Sequence, residues 1–363
     1  MKICFLLNNY SFVGGVERVT CLLSNELSKE HDVDIISLYD TSGSCSYPYN
    51  NNINITVLYR KEKKNYLLET IPSITKLKNI IKAKKYDYLI YAGELLAHYA
   101  ILACKNTSTK CVGWTHTPAL NYSESFLQKP LKKFMVCKSD FVITLTKESA
   151  DILKEKYNNK NIFYIPNPID PILNNNSLYD SKSKKIITVG RISYQKNYET
   201  LVKVAAQALP NLPEWTWDIY GNGDEQIKKN LISSIKDNRL ENRLNLKGVD
   251  NNIYNLYEKY SFIVMTSRYE GFPMVLLEAL SKKLPMIAFD ISTGPKEIIL
   301  EDKNGHLVKP FDVEEMSKKI IALANDPNKR IEMSKYNETY RNNYSIEQII
   351  VKWNDLLLRE LNK

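Results

Sequence analysis

Short apolar runs and helix-spaced apolar positions alternate along this chain. Lys2-Ile3-Cys4-Phe5-Leu6-Leu7 is an apolar run that stops at Asn8-Asn9, and Gly14-Gly15 then opens a helical stretch reaching Leu27. Val33 to Leu38 and Ile53 to Leu58 read as strands. Leu67, Ile71, Ile74, Leu77 and Ile81 recur every three or four residues, the spacing of one helix face. Further strands are expected at Tyr88–Tyr91, Lys110–Trp114, Phe141–Leu145 and Ile162–Ile165. The pattern lapses over residues 171–184, where Asn174-Asn175-Asn176-Ser177 and Ser181-Lys182-Ser183 are polar and without period. It resumes with strands at Ile186–Val189, Trp217–Tyr220, Leu244–Lys247, Phe262–Thr266, Met286–Phe289 and His306–Val308. The end, from Asp312 to Leu361, is mainly helical.

Strands that are apolar throughout, alternating with helices, imply parallel sheets covered on both faces. The expected fold class is therefore α/β. Two doubly wound Rossmann-like domains, residues 1–170 and 185–345, flank the linker 171–184 and face each other across a cleft. In such sheets ligands bind beyond the carboxyl ends of the strands. No internal repeat with a period of 20–50 residues interrupts this pattern.

Composition narrows the class. The 363 residues are 44% hydrophobic and include 24 Tyr, 10 Phe and 4 Trp, ample material for two cores and incompatible with a disordered chain. No stretch approaches the roughly 18–20 apolar residues of a spanning helix. Ile3 to Leu7 is too short for the apolar part of a secretion signal, so a cytosolic protein is expected. The six Cys show no C-x-x-C spacing and read mostly as buried thiols of a reducing compartment. Four scattered His argue against a dedicated transition-metal site. The net charge of +9 is uneven. Arg60 to Lys85 holds nine basic residues against Glu62 and Glu69, and Lys129, Lys132, Lys133 and Lys138 form a second basic patch. Both suit an anionic surface, or are simply solvated helix faces. No aromatic-interleaved basic patch supports nucleic acid as a partner.

Candidate chemistry concentrates at strand ends. In Ser267-Arg268-Tyr269-Glu270-Gly271-Phe272-Pro273, a strand runs into a turn, and Pro273 suits the first position of a helix. The amides of Met274, Val275 and Leu276 would then face outward as an anion-binding N-terminus. Glu278 lies on a helix that is apolar nearly all round, so its carboxylate needs hydrogen bonds. A polyol ligand would supply them; so would a buried Lys or Arg, with Glu270 then merely a turn residue. Arg191 and Lys196 share the loop after the first strand of the second domain, where a planar fork and a point charge match a diphosphate. Plain surface charge is the alternative. Gly14-Gly15 allows close backbone approach but lacks the G-x-G-x-x-G of a dinucleotide fold, which disfavours a nucleotide-sugar dehydrogenase or epimerase. Gly221-Asn222-Gly223 reads as a strand-end turn. His116, in Gly113-Trp114-Thr115-His116-Thr117-Pro118, is either structural or part of a site. Asp32-Val33-Asp34 has the form of a metal motif but opens a strand rather than ending one.

Jointly, the G-G-V-E-R loop, Gly190-Arg191 with Lys196-Asn197, Ile165-Pro166-Asn167-Pro168, the Gly221 turn and E-G-F-P-x4-E resemble the glycosyltransferase family 4 group, which has the GT-B fold. The resemblance covers nearly the whole chain. It implies a retaining, metal-independent glycosyltransferase with no cofactor. Such an enzyme moves a hexosyl group from a nucleotide-diphosphate sugar to a hydroxyl of a glycan or lipid-linked acceptor. UDP-hexose or UDP-N-acetylhexosamine is the expected donor, with GDP-mannose as the alternative. Less favoured is a non-catalytic protein attached to an anionic surface.

By the same resemblance, Arg191 and Lys196 clamp the donor diphosphate, and Glu270 holds the sugar hydroxyls. The amides of Gly271 and Phe272 lie by the sugar, and those of Met274 and Val275 by the phosphates. Glu278 holds the ribose, Gly248-Val249 forms the base pocket, and Gly14 and Gly15 approach the phosphate and acceptor side. His116 sits near the reaction centre. Residues 346–363 form a helix crossing back to the first domain, which would bind the acceptor. Ser292-Thr293-Gly294-Pro295-Lys296-Glu297 departs from the commoner G-G-x-P-E form, which bears on sugar specificity. Lys- and Asn-rich usage suggests a low-GC bacterium and so a surface polysaccharide such as capsule or lipopolysaccharide. Peripheral attachment to the inner membrane face would bring the enzyme to a lipid-linked acceptor.

Overall fold

The computed structural model describes residues 1–41, 43, 45, 47–60, 66–120, 128–173, 179–250 and 252–363, with side chains of 66–69 excepted. The chain begins β1 (Lys2–Asn9), α1 (Gly15–Leu27), β2 (Asp32–Tyr39), β3 (Asn54–Tyr59), α2 (Tyr66–Lys84), β4 (Tyr88–Ala92), α3 (Ala97–Cys104). It continues β5 (Lys110–Trp114), α4 (Gln128–Lys138), β6 (Phe141–Thr144), α5 (Lys147–Tyr157), β7 (Ile162–Tyr164). The second half runs β8 (Lys185–Val189), α6 (Tyr198–Ala208), β9 (Thr216–Tyr220), α7 (Glu225–Asp237), β10 (Leu244–Gly248), α8 (Ile253–Leu256), β11 (Phe262–Met265), α9 (Met274–Ser281). It ends β12 (Met286–Phe289), α10 (Pro295–Ile298), β13 (Gly305–Val308), α11 (Val313–Asn325), α12 (Pro327–Tyr340) and α13 (Ile346–Leu361).

Contacts divide the chain into two compact units, Met1–Pro168 with Ile346–Lys363, and Ile169–Ser345. The first holds a seven-stranded sheet in the order β3-β2-β1-β4-β5-β6-β7 and the second a six-stranded sheet in the order β10-β9-β8-β11-β12-β13. Every pairing is parallel. Each order reverses beside its first strand, at β1/β4 and at β8/β11. Chains leaving those neighbouring strands diverge to opposite faces and open a crevice between their loops. In the second unit, Phe262 and Ile263 of β11 pair with Ile186 and Ile187 of β8.

The cores follow from the apolar strands. In the first unit Cys4, Leu6, Leu89 and Tyr91 pack with Leu77 and Ile81 of α2 and Ala100 of α3. In the second, Ile186, Trp217, Ile219 and Phe262 pack with Leu201 and Ala205 of α6 and Met316 and Ile320 of α11. The amphipathic α13 belongs to the first unit and buries Ile349, Trp353, Leu356 and Leu357 at helical spacing. Trp353 lies edge-on to Trp114 at 5.4 Å. The Tyr88 hydroxyl donates to the Leu357 carbonyl at 2.6 Å, anchoring the helix to β4.

The described part of the linker segment is grouped with the second unit. Pro171–Leu173 is a 3-10 turn with Leu173 buried, and the Tyr179 hydroxyl donates to the Ser261 carbonyl at 2.7 Å. Residues 174–178 of that segment lie outside the described residues. The second basic patch loses a member, because Lys132 is buried and its ammonium donates to the Pro118 carbonyl at 2.9 Å. Lys129, Lys133 and Lys138 remain exposed on α4, as do Lys76, Lys82, Lys84 and Lys85 on and just after α2. Residues 61–65 of the first basic segment lie outside the described residues. Cys4, Cys21, Cys104 and Cys111 are buried, Cys45 and Cys137 exposed, and all six are free thiols. Among the described residues no helix is long and apolar enough to cross a membrane.

Candidate active site

The loops leaving β8 and β11 meet at the switch point of the second sheet. The β8 loop is held by backbone packing against the β9 loop. Gly190 N–H donates to the Tyr220 carbonyl at 2.9 Å and Ile192 N–H to the Asn222 carbonyl at 3.0 Å. A Cβ on Gly221 would stand 2.0 Å from the Gly190 carbonyl oxygen, and one on Gly223 2.1 Å from that of Ile192. The Gly221-Asn222-Gly223 turn thus exists to let two backbones touch.

Lys196 folds back across this loop, its stem lying over Gly190, where a Cβ would come 3.0 Å from Cε. Its ammonium reaches Glu270 Oε1 at 2.6 Å, with the two side chains 16% and 9% exposed. The same oxygen accepts the Ser267 hydroxyl at 2.7 Å, and Oε2 accepts the Gln195 amide at 3.1 Å. The Thr293 hydroxyl donates to the Glu270 carbonyl at 2.8 Å, fastening the turn to the loop after β12. Arg268 N–H donates to the Gln195 carbonyl at 2.8 Å, and Asn197 Nδ2 to the Thr266 carbonyl at 3.2 Å. Three donors on one carboxylate compensate its burial.

Arg191 differs from Lys196. It is exposed, and among the described residues no side-chain partner holds it. The structure therefore brings Lys196 and Glu270 together and leaves the Arg191 guanidinium open to an incoming group. A cavity of about 270 Å³ lies beside the same loop, walled by Tyr194, Tyr198, Ile227, Leu231 and Arg268, and includes neither Lys196 nor Glu270.

The helix after the turn corrects one detail. Pro273 is the N-cap of α9, extended at φ −75° and ψ 102°, and Met274 is the first helical residue. As cap, the Pro273 carbonyl accepts the Leu276 amide at 3.0 Å, so that amide is already engaged and not available to an anion. Gly271 and Phe272 form the turn itself, with Phe272 buried 6.0 Å from the Tyr344 ring. Met274 and Val275 form the first turn of α9. Glu278 is buried on α9 and accepts the Tyr257 hydroxyl at 2.8 Å. Lys282, four residues further on, pairs with Glu258 at 3.1 Å. Gly248 ends β10, its carbonyl accepting the Gly221 amide at 2.8 Å, and Val249 beyond it is exposed.

Gly14, Gly15 and His116 lie in the first unit. Gly14 caps α1 and Gly15 begins it. His116 follows β5 with its ring 4.2 Å from that of Trp114. Its Nε2 is buried without a hydrogen-bond partner among the described residues. Burial pushes the imidazole pKa down to about 3, so the ring is neutral at physiological pH.

Four contributors were not singled out in the sequence: Gln195, Ser267, Thr293 and Tyr257. Ser267 carries a faint signal, because Ser-x-x-Glu has the spacing of a capping box, although here its hydroxyl donates to the carboxylate itself. Gln195 adjoins Lys196 but nothing in its type marks it. Tyr257 carries no sequence signal for Glu278. One cluster of metal-type donors occurs among the described residues, Glu301, Asp302 and His306. It precedes and opens β13, at the amino end of that strand, where Lys319 also reaches Glu301 at 3.3 Å.

Known proteins agree with this architecture. Residues 13–172 match the family model of Glycosyltransferase Family 4, and residues 171–340 match that of Glycosyl transferases group 1. An uncharacterized glycosyltransferase of Haemophilus influenzae is 31% identical over 362 residues, spanning 98% of this chain and 99% of that one. The amylovoran biosynthesis glycosyltransferase AmsD of Erwinia amylovora is 30% identical over 366 residues, with 98% and 99% coverage. HepE of Anabaena, solved in complex with UDP and glucose, superposes with a TM-score of 0.82 at 18% identity, covering 98% of this chain and 99% of its own. Two parallel sheets of this order and full-length kinship lead to one conclusion: the chain is a glycosyltransferase of GT-B fold and belongs to the family 4 group.

Proposed function

We propose that this enzyme transfers a hexosyl group from a UDP-sugar, UDP-hexose or UDP-N-acetylhexosamine, to a hydroxyl of a glycan or lipid-linked acceptor. The transfer retains the anomeric configuration, needs no metal, and serves bacterial surface polysaccharide synthesis. The observation that carries this reading is the Lys196–Glu270 pair at the β8/β11 switch point, beside an uncommitted Arg191. AmsD, by its name, acts in the biosynthesis of amylovoran, and HepE was solved with UDP and glucose bound. The first supports the polysaccharide setting and the second the UDP donor class.

The chemistry follows from charge. When the bond from anomeric carbon to phosphate oxygen breaks, negative charge grows on the departing diphosphate. Arg191 and Lys196 stabilise that charge where other enzymes use a metal ion. Glu270, its carboxylate oriented by Ser267 and Gln195, accepts hydroxyls of the transferred sugar, with the Gly271 and Phe272 amides beside it. Met274 and Val275, in the first turn of α9, lie on the phosphate side of that helix. Glu278 takes the ribose, with Tyr257 supporting it, and Gly248-Val249 takes the base. Neutral His116 donates or accepts a hydrogen bond at the sugar, and Gly14 and Gly15 give backbone access on the phosphate and acceptor side. Attack proceeds from the face the diphosphate leaves, and the departing phosphate oxygen takes the acceptor proton. The exposed lysines of α2 and α4 support peripheral attachment to an anionic membrane surface.

Incubating purified enzyme with UDP-glucose, UDP-N-acetylglucosamine and GDP-mannose separately, and measuring nucleoside diphosphate release, tests the donor. Release from a UDP-sugar is expected. Release from GDP-mannose alone would transfer the assignment to a mannosyltransferase.

A further inference from the structure

Two buried charges in the first unit have no part in the mechanism above. Glu94, 7% exposed, follows β4 in a 3-10 turn, and Lys132, 2% exposed, comes from α4, which packs against that turn. Ordinarily neither side chain is buried without a compensating interaction. Their placement is specific. Glu94 Oε1 accepts the Thr115 hydroxyl at 2.6 Å and the Thr117 hydroxyl at 2.5 Å. Lys132 Nζ donates to the Pro118 carbonyl at 2.9 Å. The residues so held are those before, after, and next after His116.

The backbone explains why such a brace is needed. β5 ends at Trp114, and Thr115 N–H to the Ile143 carbonyl, 3.0 Å, is the last link of this segment to the sheet ladder. Beyond it the segment is fixed by side chains. The His116 ring leans on Trp114 but hydrogen-bonds nothing through Nε2 among the described residues. Its direction is therefore set by the backbone of Thr115 to Pro118, and that backbone by Glu94 and Lys132. The two charges also support each other: burial draws the Lys132 pKa down, and the Glu94 charge opposes that shift.

We propose that Glu94, with Lys132, is a positioning residue for glycosyl transfer, bracing the Thr115–Pro118 segment so that His116 presents its imidazole to the sugar. This rests on the assignment of His116 to the reaction centre. Glu94 and Lys132 act through that segment, by their contacts to Thr115, Thr117 and Pro118. Errors of an ångström in such presentation cost up to about a hundredfold in rate.

The test is a double-mutant comparison on full-length enzyme, measuring kcat, KM for the UDP-sugar and UDP affinity. Glu94→Gln keeps the shape and an acceptor oxygen but removes the charge. It should lower kcat about tenfold or more and change UDP affinity less than about twofold. In a His116→Ala background the same substitution should cost less than about twofold further, because the group it positions is gone. Thr117→Val, which keeps both buried charges, should repeat the pattern with a smaller loss and serves if Glu94→Gln does not fold. Equal losses with and without His116 would overturn the proposal while leaving the role of His116 standing. A His116→Ala enzyme with wild-type kcat would overturn that role, and the proposal with it.

Discussion

Replacing Lys196 with Met removes an ammonium but keeps a stem of similar length over Gly190. The ammonium lies 2.6 Å from Glu270 Oε1, with side-chain exposures of 16% and 9%. At that separation and an effective dielectric of about 20, the gross attraction is about 6 kcal/mol. Desolvation offsets much of it, and breaking a buried pair usually costs about 3–5 kcal/mol through the charge left behind. Here Glu270 keeps the Ser267 hydroxyl and the Gln195 amide. The expected loss of stability is therefore at or just below the lower end of that range, about 2–3 kcal/mol. Turnover should fall further, about a hundredfold to a thousandfold, because in the proposed mechanism the same cation meets the departing diphosphate. The double variant Lys196→Met/Glu270→Gln separates the two effects. With neither charge buried alone, stability should recover most of the loss, whereas turnover should not. Denaturation midpoints and initial rates of UDP release on folded protein measure both. A Lys196→Met protein as stable as wild type, or a double variant that regains turnover, would refute this reasoning.

Other expectations follow from neighbouring geometry. Gly190→Ala places a methyl 3.0 Å from Lys196 Cε and 3.2 Å from Cδ, so the ammonium must shift; kcat should drop about tenfold in rate assays while the fold persists. Glu278→Ala removes the carboxylate that accepts the buried Tyr257 hydroxyl and should destabilise by about 1–3 kcal/mol, whereas Glu278→Gln keeps an acceptor, folds normally and mainly weakens UDP binding in calorimetry. His116, with a folded pKa of about 3, should show no titration in its NMR ring resonances between pH 5 and 8. Because that pKa lies below the unfolded value near 6.5, the unfolded chain takes up the proton first. Stability from this group is thus full above about pH 6.5 and declines as pH falls towards 3, by up to about 1.4 kcal/mol per unit.

What the sequence revealed depended on whether information was local. Strands such as Phe262 to Met265 are apolar runs bounded by polar turns, and their parallel, doubly covered sheets follow from that alone. Arg191, Lys196, Glu270 and Glu278 stand in short motifs at strand ends. Their partners were not legible, because the pairing of β8 with β11 brings Gln195 and Glu270 together across 75 residues. Tyr257 reaches Glu278 by the same kind of tertiary accident, without a spacing to mark it. Lys132 misled for a related reason. A lysine among lysines on α4 reads as surface charge, whereas the carbonyl of Pro118 and the charge of Glu94 favour its turning inward. Pro273 was misplaced by one position because a proline suits both the cap and the first helical residue.

The central claim is that side-chain cations, not a metal, stabilise the departing diphosphate. It is tested most directly by assaying sugar transfer with metal-stripped wild-type enzyme in excess chelator, alongside Arg191→Ala. The account predicts full activity for the stripped wild type. Arg191→Ala should be folded yet slower by about a hundredfold or more, with no rescue by added magnesium or manganese. A wild type that loses activity in chelator and regains it with manganese would contradict the account.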